Sequence, residues 1–269
     1  MVAKKNSQNS IKKTAKFMLE YFKINLQSIM EYRISFITQA SFMFVNDIFW
    51  VIFWAIFFNK FPSINNWVFT DIMAMFVVIT CAWGLVGTVF GNFKNTAEII
   101  RDGQLDFYLA LPKEELSHIL ISKLKFDAFG DLLFGIILAI IFVPFAKLPL
   151  LLVLVLVSSI IILGFAIILG SLSFYMGSSV EVANQGLMGI LTLASYPFSV
   201  FSGFTRIFLL TLIPAGFITG VPVELLKLFD WKWFLLMLAF AGIVLGISLI
   251  IFKKGVKRYE SGNLINARI

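Results

Sequence analysis

Few residues of this chain have the chemistry for catalysis or metal capture. Cysteine and histidine occur once each, as Cys81 and His118. A zinc site draws three or four ligands from Cys, His and carboxylates, and a Ser-His-Asp relay needs a histidine held by a carboxylate. Cys81 lies inside an apolar run and reads as a small core residue. A lone cysteine also excludes an intramolecular disulfide. Glu114 and Glu115 are adjacent and read as solvated helix-surface charges. No G-x-x-x-x-G-K-[ST] occurs, so no P-loop is present to cradle ATP phosphates. Two polar features remain. One is Asn46-Asp47, deep in an apolar run. The other is "RDGQLDFYLALPKEELSHIL", Arg101 to Leu120, between long apolar stretches.

The setting of both is lipid. The 269 residues are 59% hydrophobic and 14% charged, with a mean hydropathy of +0.93, whereas a water-facing domain carries roughly 25% charged residues. Several continuous apolar runs reach the ~20 residues that cross a hydrocarbon core as a helix. None alternates with the period of a barrel strand. The pattern predicts an all-α polytopic membrane protein, one domain over residues 1–269, with spans at 34–58, 70–92, 126–146, 150–176, 186–204 and 231–252. The net charge of +7 then reads as basic cytoplasmic ends, with membrane lipids rather than nucleic acid as the partner.

Residues 207–226, "IFLLTLIPAGFITGVPVELL", are apolar but broken by Pro214, Gly216, Gly220 and Pro222. If they cross, the chain ends lie on opposite sides. If they do not, only Lys60, Lys147, Arg206, Lys227 and Lys232 of the 22 Lys and Arg lie opposite the termini. Positive residues favour the cytoplasm, so this segment reads as a broken helical hairpin on the outer side before span six. Both termini are then cytoplasmic. Residues 1–33 do not fit a signal peptide. Met18, Phe22, Leu26, Ile29 and Met30 follow helical spacing, with Lys12, Lys13, Lys16 and Lys23 supplying charge. They predict an amphipathic helix lying along the membrane surface, the alternative being a solvated tail. Residues 253–269 form a cytoplasmic tail.

The insert after span two has its own logic. Asp102-Gly103 signals a turn. Leu105, Phe107, Tyr108, Leu109 and Leu111 fit a short helix, and Pro112 is placed to open the next one. A short aromatic helix held off the bilayer needs a partner surface, unless it merely rests at the headgroups. Within the spans, Asp47 is costly unless it faces protein or water. It reads as a polar contact lining a path or joining helices, or as a protonated or hydrogen-bonded packing residue. Asp127 and Asp131 open span three and are expected at the cytoplasmic interface. Gly87/Gly91, Gly216/Gly220 and Gly242/Gly246 have the spacing of close helix approaches.

In order and spacing these features resemble a type-2 ABC exporter permease of the six-span group without a fused ATPase. The resemblance rests on the basic N-terminal helix, "RDGQLDFYLALP", "SYPFSVFSGF", "LIPAGFITGVPVELL" and "FKKGVKRYESGN". It implies a cytoplasmic coupling helix after span two that docks an ATP-binding subunit. By position, Asp102, Gly103, Gln104, Leu105, Asp106, Phe107 and Tyr108 fill that role. It further implies two copies of the ATPase subunit, which hold ATP and Mg, so that this chain needs no cofactor and is not itself an enzyme. It implies a second permease chain, identical or a paralogue, and residence in a bacterial inner or plasma membrane. The cargo stays open among drugs, peptides, lipids and glycans. The competing reading is an ion-coupled secondary transporter, a class that favours internal repeats and ionisable midplane residues. Asp47 suits it, but no clear repeat is visible. A membrane-embedded enzyme lacks any catalytic constellation.

Overall fold

The computed structural model describes residues 17, 19–176, 179–211 and 213–260. Lys12, Lys13, Lys16 and Met18 of the expected N-terminal helix, and the tail beyond Glu260, lie outside the described residues. The described chain is helical. Its one β-bridge, Ile64 to Trp67, closes a turn in which Asn65 and Asn66 take positive φ of 45° and 66°, a conformation asparagine tolerates.

In chain order the helices are α1 (19–31), α2 (Arg33–Lys60), α3 (Phe69–Val89), α4 (Thr96–Arg101), α5 (Leu105–Leu109), α6 (Glu115–Ile121), α7 (Asp127–Phe142), α8 (Leu148–Ser171), α9 (Ser179–Ala194), α10 (Gly203–Thr211), α11 (Val221–Lys227) and α12 (Trp231–Val256). Four stretches are long and apolar enough to cross a membrane: α2, α3, the run Phe145–Phe174 that contains α8, and α12. Gly203–Thr211 and Gly216–Lys227, bent by 81°, add a fifth if they form one span. Helices α7 and α9 have 16 residues each, fewer than the ~20 that cross unaided. The predicted span at 186–204 takes a different form. Its helix starts earlier, at Ser179, and ends at Ala194, before Pro197 and a 3-10 turn at Phe198–Val200. Proline has no N–H to continue the helix.

Helix α3 is the centre. Nearly all of it is buried, against α7, α8 and α11. Its glycines make this possible. A Cβ on Gly84 would lie 2.6 Å from Leu132 N and one on Gly87 would strike Ala128, and just past the helix end one on Gly91 would lie 2.5 Å from Lys123 O. Gly216 and Gly220 are similarly tight against Phe198, whereas Gly242 and Gly246 meet nothing within 4 Å. That last pair does not serve a close approach among the described residues. Helix α2 packs chiefly on α7 through Phe36–Phe126 and Phe36–Phe129 (ring centroids 5.8 and 5.4 Å) and Phe44–Phe134 (5.4 Å). Trp54 and Phe58 are buried, whereas Phe42, Phe49 and Phe53 of the same helix are exposed. Helix α12 packs on α8.

The broken segment turns through a π-helical stretch, Gly216–Gly220. Ser158 Oγ of α8 donates to its Ile218 carbonyl at 2.8 Å, and its own Thr219 Oγ1 donates to Ala194 O of α9 at 2.8 Å. Phe217 stacks on Phe240 at 4.5 Å. Bent backbone at membrane depth is tolerated where protein satisfies it. Trp67 Nε1 donates to Glu224 Oε1 at 2.9 Å and Lys227 Nζ to Asn66 O at 3.1 Å, so the loop after α2 clamps α11.

Candidate functional site

The polar insert folds as three short helices at the end of the molecule opposite this hairpin. Helix α4 ends at Arg101, whose guanidinium pairs with Asp102 at 2.7 Å. That hydrogen bond holds the exposed Asp102 carboxyl below the usual aspartate range. Gly103 takes φ +74°, the left-handed turn the Asp-Gly pair predicts. Helix α5 follows. Leu105 is fully buried and anchors it, Gln104 is exposed, and Asp106 is half-buried. Phe107 is 61% exposed. Tyr108 is half-buried and its hydroxyl donates to Ser122 Oγ at 3.2 Å.

That serine is itself fixed. Asn92 Nδ2 donates to it at 2.7 Å, and it donates to Ile119 O at 2.7 Å. The α5 ring pair is thus divided. Tyr108 is mounted on the molecule, and Phe107, 5.3 Å from it edge to face, projects outward.

Pro112 does not open the next helix. Helix α6 starts at Glu115, and the Glu114 carboxylate caps it by accepting from Ser117 N at 2.7 Å. A side-chain acceptor at that position satisfies an N–H the helix leaves free. Glu114 therefore has a structural task beyond solvation.

His118, which spacing did not connect to anything, is buried at 2% exposure. Four rings surround it: Phe17 and Tyr21 at 5.2 and 5.0 Å, and Phe107 and Tyr108 at 6.3 and 5.0 Å. Tyr21 OH and His118 Nε2 share a 2.5 Å hydrogen bond. Lys113 Nζ sits 4.7 Å over the Phe17 ring. Burial, and then the Lys113 charge, push the His118 pKa down from 6.5. Asn25 Nδ2 donates to Ile121 O at 3.1 Å. Helix α1 is thus docked against the insert. Leu19 and Phe22 also line an apolar cavity of about 170 Å³ with Val89, Ile121 and Leu124. No sequence signal links Tyr21 to a histidine 97 residues away.

Lys94, in the turn Phe93–Asn95, places Nζ 4.3 Å over the Trp83 ring. Burial and then the Lys125 charge lower its pKa to about 8.

The intramembrane polar pair separates. Asn46 is exposed, beside Phe49, Trp50, Phe53 and Tyr196. Asp47 is buried at 5% beside Asp131 of α7, itself buried at 3%, and its Oδ2 has no hydrogen-bond partner among the described residues. Asp131 therefore does not sit at the water interface with Asp127, because α2 closes over it. Asp127 stays half-buried and pairs with Lys125 at 3.5 Å. Among the described residues no three His, Cys, Asp or Glu gather as a metal site.

This arrangement offers a mounted aromatic projection at one end and a buried carboxyl pair between helices. A family model described as ABC-2 family transporter protein matches residues 44–262, most of the chain. No curated protein and no solved structure matches the chain.

Proposed function

Because the chain belongs to the ABC-2 family of transporter membrane proteins, we propose that it is the permease subunit of an ATP-driven exporter and that Asp102 to Tyr108 dock a separate ATP-binding subunit. The observation that carries the docking is Phe107. It is a large apolar ring, 61% exposed, on a helix held by buried Leu105 and by the Tyr108–Ser122–Asn92 hydrogen bonds. An exposed anchor on a rigid mount suits insertion into a partner's groove and passes the partner's movement to α3 and α7, which flank the insert.

In this reading six spans cross the inner or plasma membrane of a bacterium. Helices α7 and α9 cross with the help of their flanking turns, and residues 203–227 dip into the outer leaflet. The insert and both termini face the cytoplasm, where the positive residues concentrate. Two ATPase subunits, carrying ATP and Mg, serve a pair of permease chains that are identical or paralogous. The cargo is a drug, peptide, lipid or glycan.

The Asp47–Asp131 contact favours a second reading, an ion-coupled secondary transporter, since buried intramembrane carboxyls recur in proton relays. Co-purification separates the two. The exporter reading expects the chain to retain a P-loop ATPase subunit, and Phe107→Ala to release it without loss of the folded permease. Transport by the purified chain alone, driven by a proton or sodium gradient, would establish the second reading instead.

A further inference from the structure

The contacts of α1 with the insert form a clasp with one titratable group at its centre. Phe17 and Tyr21 come from the N-terminal segment, Phe107 and Tyr108 from α5, and His118 from α6 (ring centroids 5.0–6.3 Å from the imidazole). Nε2 is bonded to the Tyr21 hydroxyl, while Nδ1 is buried and has no hydrogen-bond partner among the described residues. With its one proton on Nε2, the tautomer that leaves no buried donor unpaired, a neutral imidazole donates to the Tyr21 hydroxyl. An imidazolium carries two N–H groups, and the second would fall on Nδ1, where nothing accepts it. A buried donor left unpaired is costly, more so when charged.

The titratable groups nearest the ring are two phenols, an ammonium and a carboxylate. Burial raises the pKa of Tyr21 of α1, and the Tyr108 hydroxyl of α5 is engaged with Ser122. Lys113, in the turn before α6, is a cation that repels an imidazolium. Glu114, the residue before α6, is occupied in capping Ser117 N.

We propose that His118 is a positioning residue that fastens α1 to α5 while neutral, and that its protonation releases the clasp and frees the ring of Tyr108. The lowered pKa of His118 gives the sign. The docked state excludes the proton and the undocked state accepts it. Docking is therefore complete above the free histidine value and is lost progressively as pH falls below it. The clasp rests on these contacts alone. Its consequence for transport, that acidification weakens the grip of the ATP-binding subunit on α5, rests on the docking role proposed above.

The test uses the full chain in nanodiscs, with spin labels at Lys23→Cys and Lys123→Cys, both exposed, in a Cys81→Ala background. Going from about pH 8 to about pH 5, the population at the short distance falls at least about twofold in the otherwise unmodified chain. In His118→Gln, which cannot take up the proton, it stays constant with pH. Tyr21→Phe keeps the ring and removes the Nε2 partner, and lowers the short-distance population even at the higher pH. A distance distribution indifferent to pH in the parent chain overturns the proposal, as does the same pH response in His118→Gln. ATPase-subunit binding is measured in parallel. If the clasp opens with acid while that binding is unchanged, the clasp stands and α5 loses its assignment as the docking element.

Discussion

Lys227 Nζ and Asp71 Oδ2 lie 3.0 Å apart, tying the end of α11 to the first turn of α3 across 156 residues of sequence. The same carboxylate oxygen accepts from Val68 N at 3.0 Å, so one group both caps the central helix and holds the hairpin. Asp71→Ala removes both bonds and should lower stability by about 1–2 kcal/mol. Lys227→Met removes the partly exposed ion pair and the bond to Asn66 O and should cost about 1 kcal/mol. Thermal unfolding of the two single variants and the double variant in detergent checks this. The double should cost less than the sum of the two singles, because in Asp71→Ala the lysine has already lost the ion pair and keeps only Asn66 O.

The glycines of α3 and α12 look alike in sequence and should behave oppositely. Gly84→Val drives a branched side chain into the α7 backbone at Leu132, which a Cβ alone would approach to 2.6 Å. It should cost about 1–3 kcal/mol or more. Gly242→Ala meets nothing within 4 Å and should be neutral or stabilise α12 by up to about 1 kcal/mol. Denaturation midpoints of the purified variants read both.

Asp131 and Asp47 lie side by side between α2 and α7. Asp131→Asn keeps a hydrogen-bonding group against Asp47 and should unfold within about 1 kcal/mol of the parent. Asp131→Leu strands the buried Asp47 carboxyl and should cost about 1–3 kcal/mol more. The loss should show first as loosening of α2, which packs chiefly on α7, so limited proteolysis near the α1–α2 junction should increase alongside it.

Lys94 should acylate unusually early. Its pKa of about 8 lies well below the 10.5 of a free lysine, so labelling by an amine reagent should rise through pH 8 rather than above 10. Folding displaces its proton, so the charged lysine costs stability at neutral pH. That cost disappears as pH climbs from about 8 towards 10.5. Lys94→Met should therefore raise the melting temperature at pH 7, with a gain that shrinks on the alkaline side. A constant gain across that range would mean that packing on Trp83, not charge, decides it.

The membrane class and most helix positions were legible because apolar runs in lipid leave the backbone no other choice. The turn at Gly103 was legible because a Gly after Asp favours a positive φ. Less legible were facts that depend on distant partners. Asp131 looked interfacial until α2 was placed over it. Pro112 looked like a helix start, but the Glu114 carboxylate offered Ser117 N a better cap. The N-terminal helix had the pattern of a surface-lying amphipath, and the feature that binds it to the insert is His118, a single residue whose partners are 97 and 10 positions away. Gly242 and Gly246 had the right spacing and no partner, which spacing alone cannot reveal.

The central claim is that Phe107 inserts into a nucleotide-binding subunit on the cytoplasmic side. A photo-crosslinking phenylalanine analogue at position 107, irradiated in intact cells and resolved by mass spectrometry, tests it directly. The account predicts an adduct to a P-loop ATPase. Adducts confined to lipid, or reaction only with probes supplied from outside the cell, would contradict it.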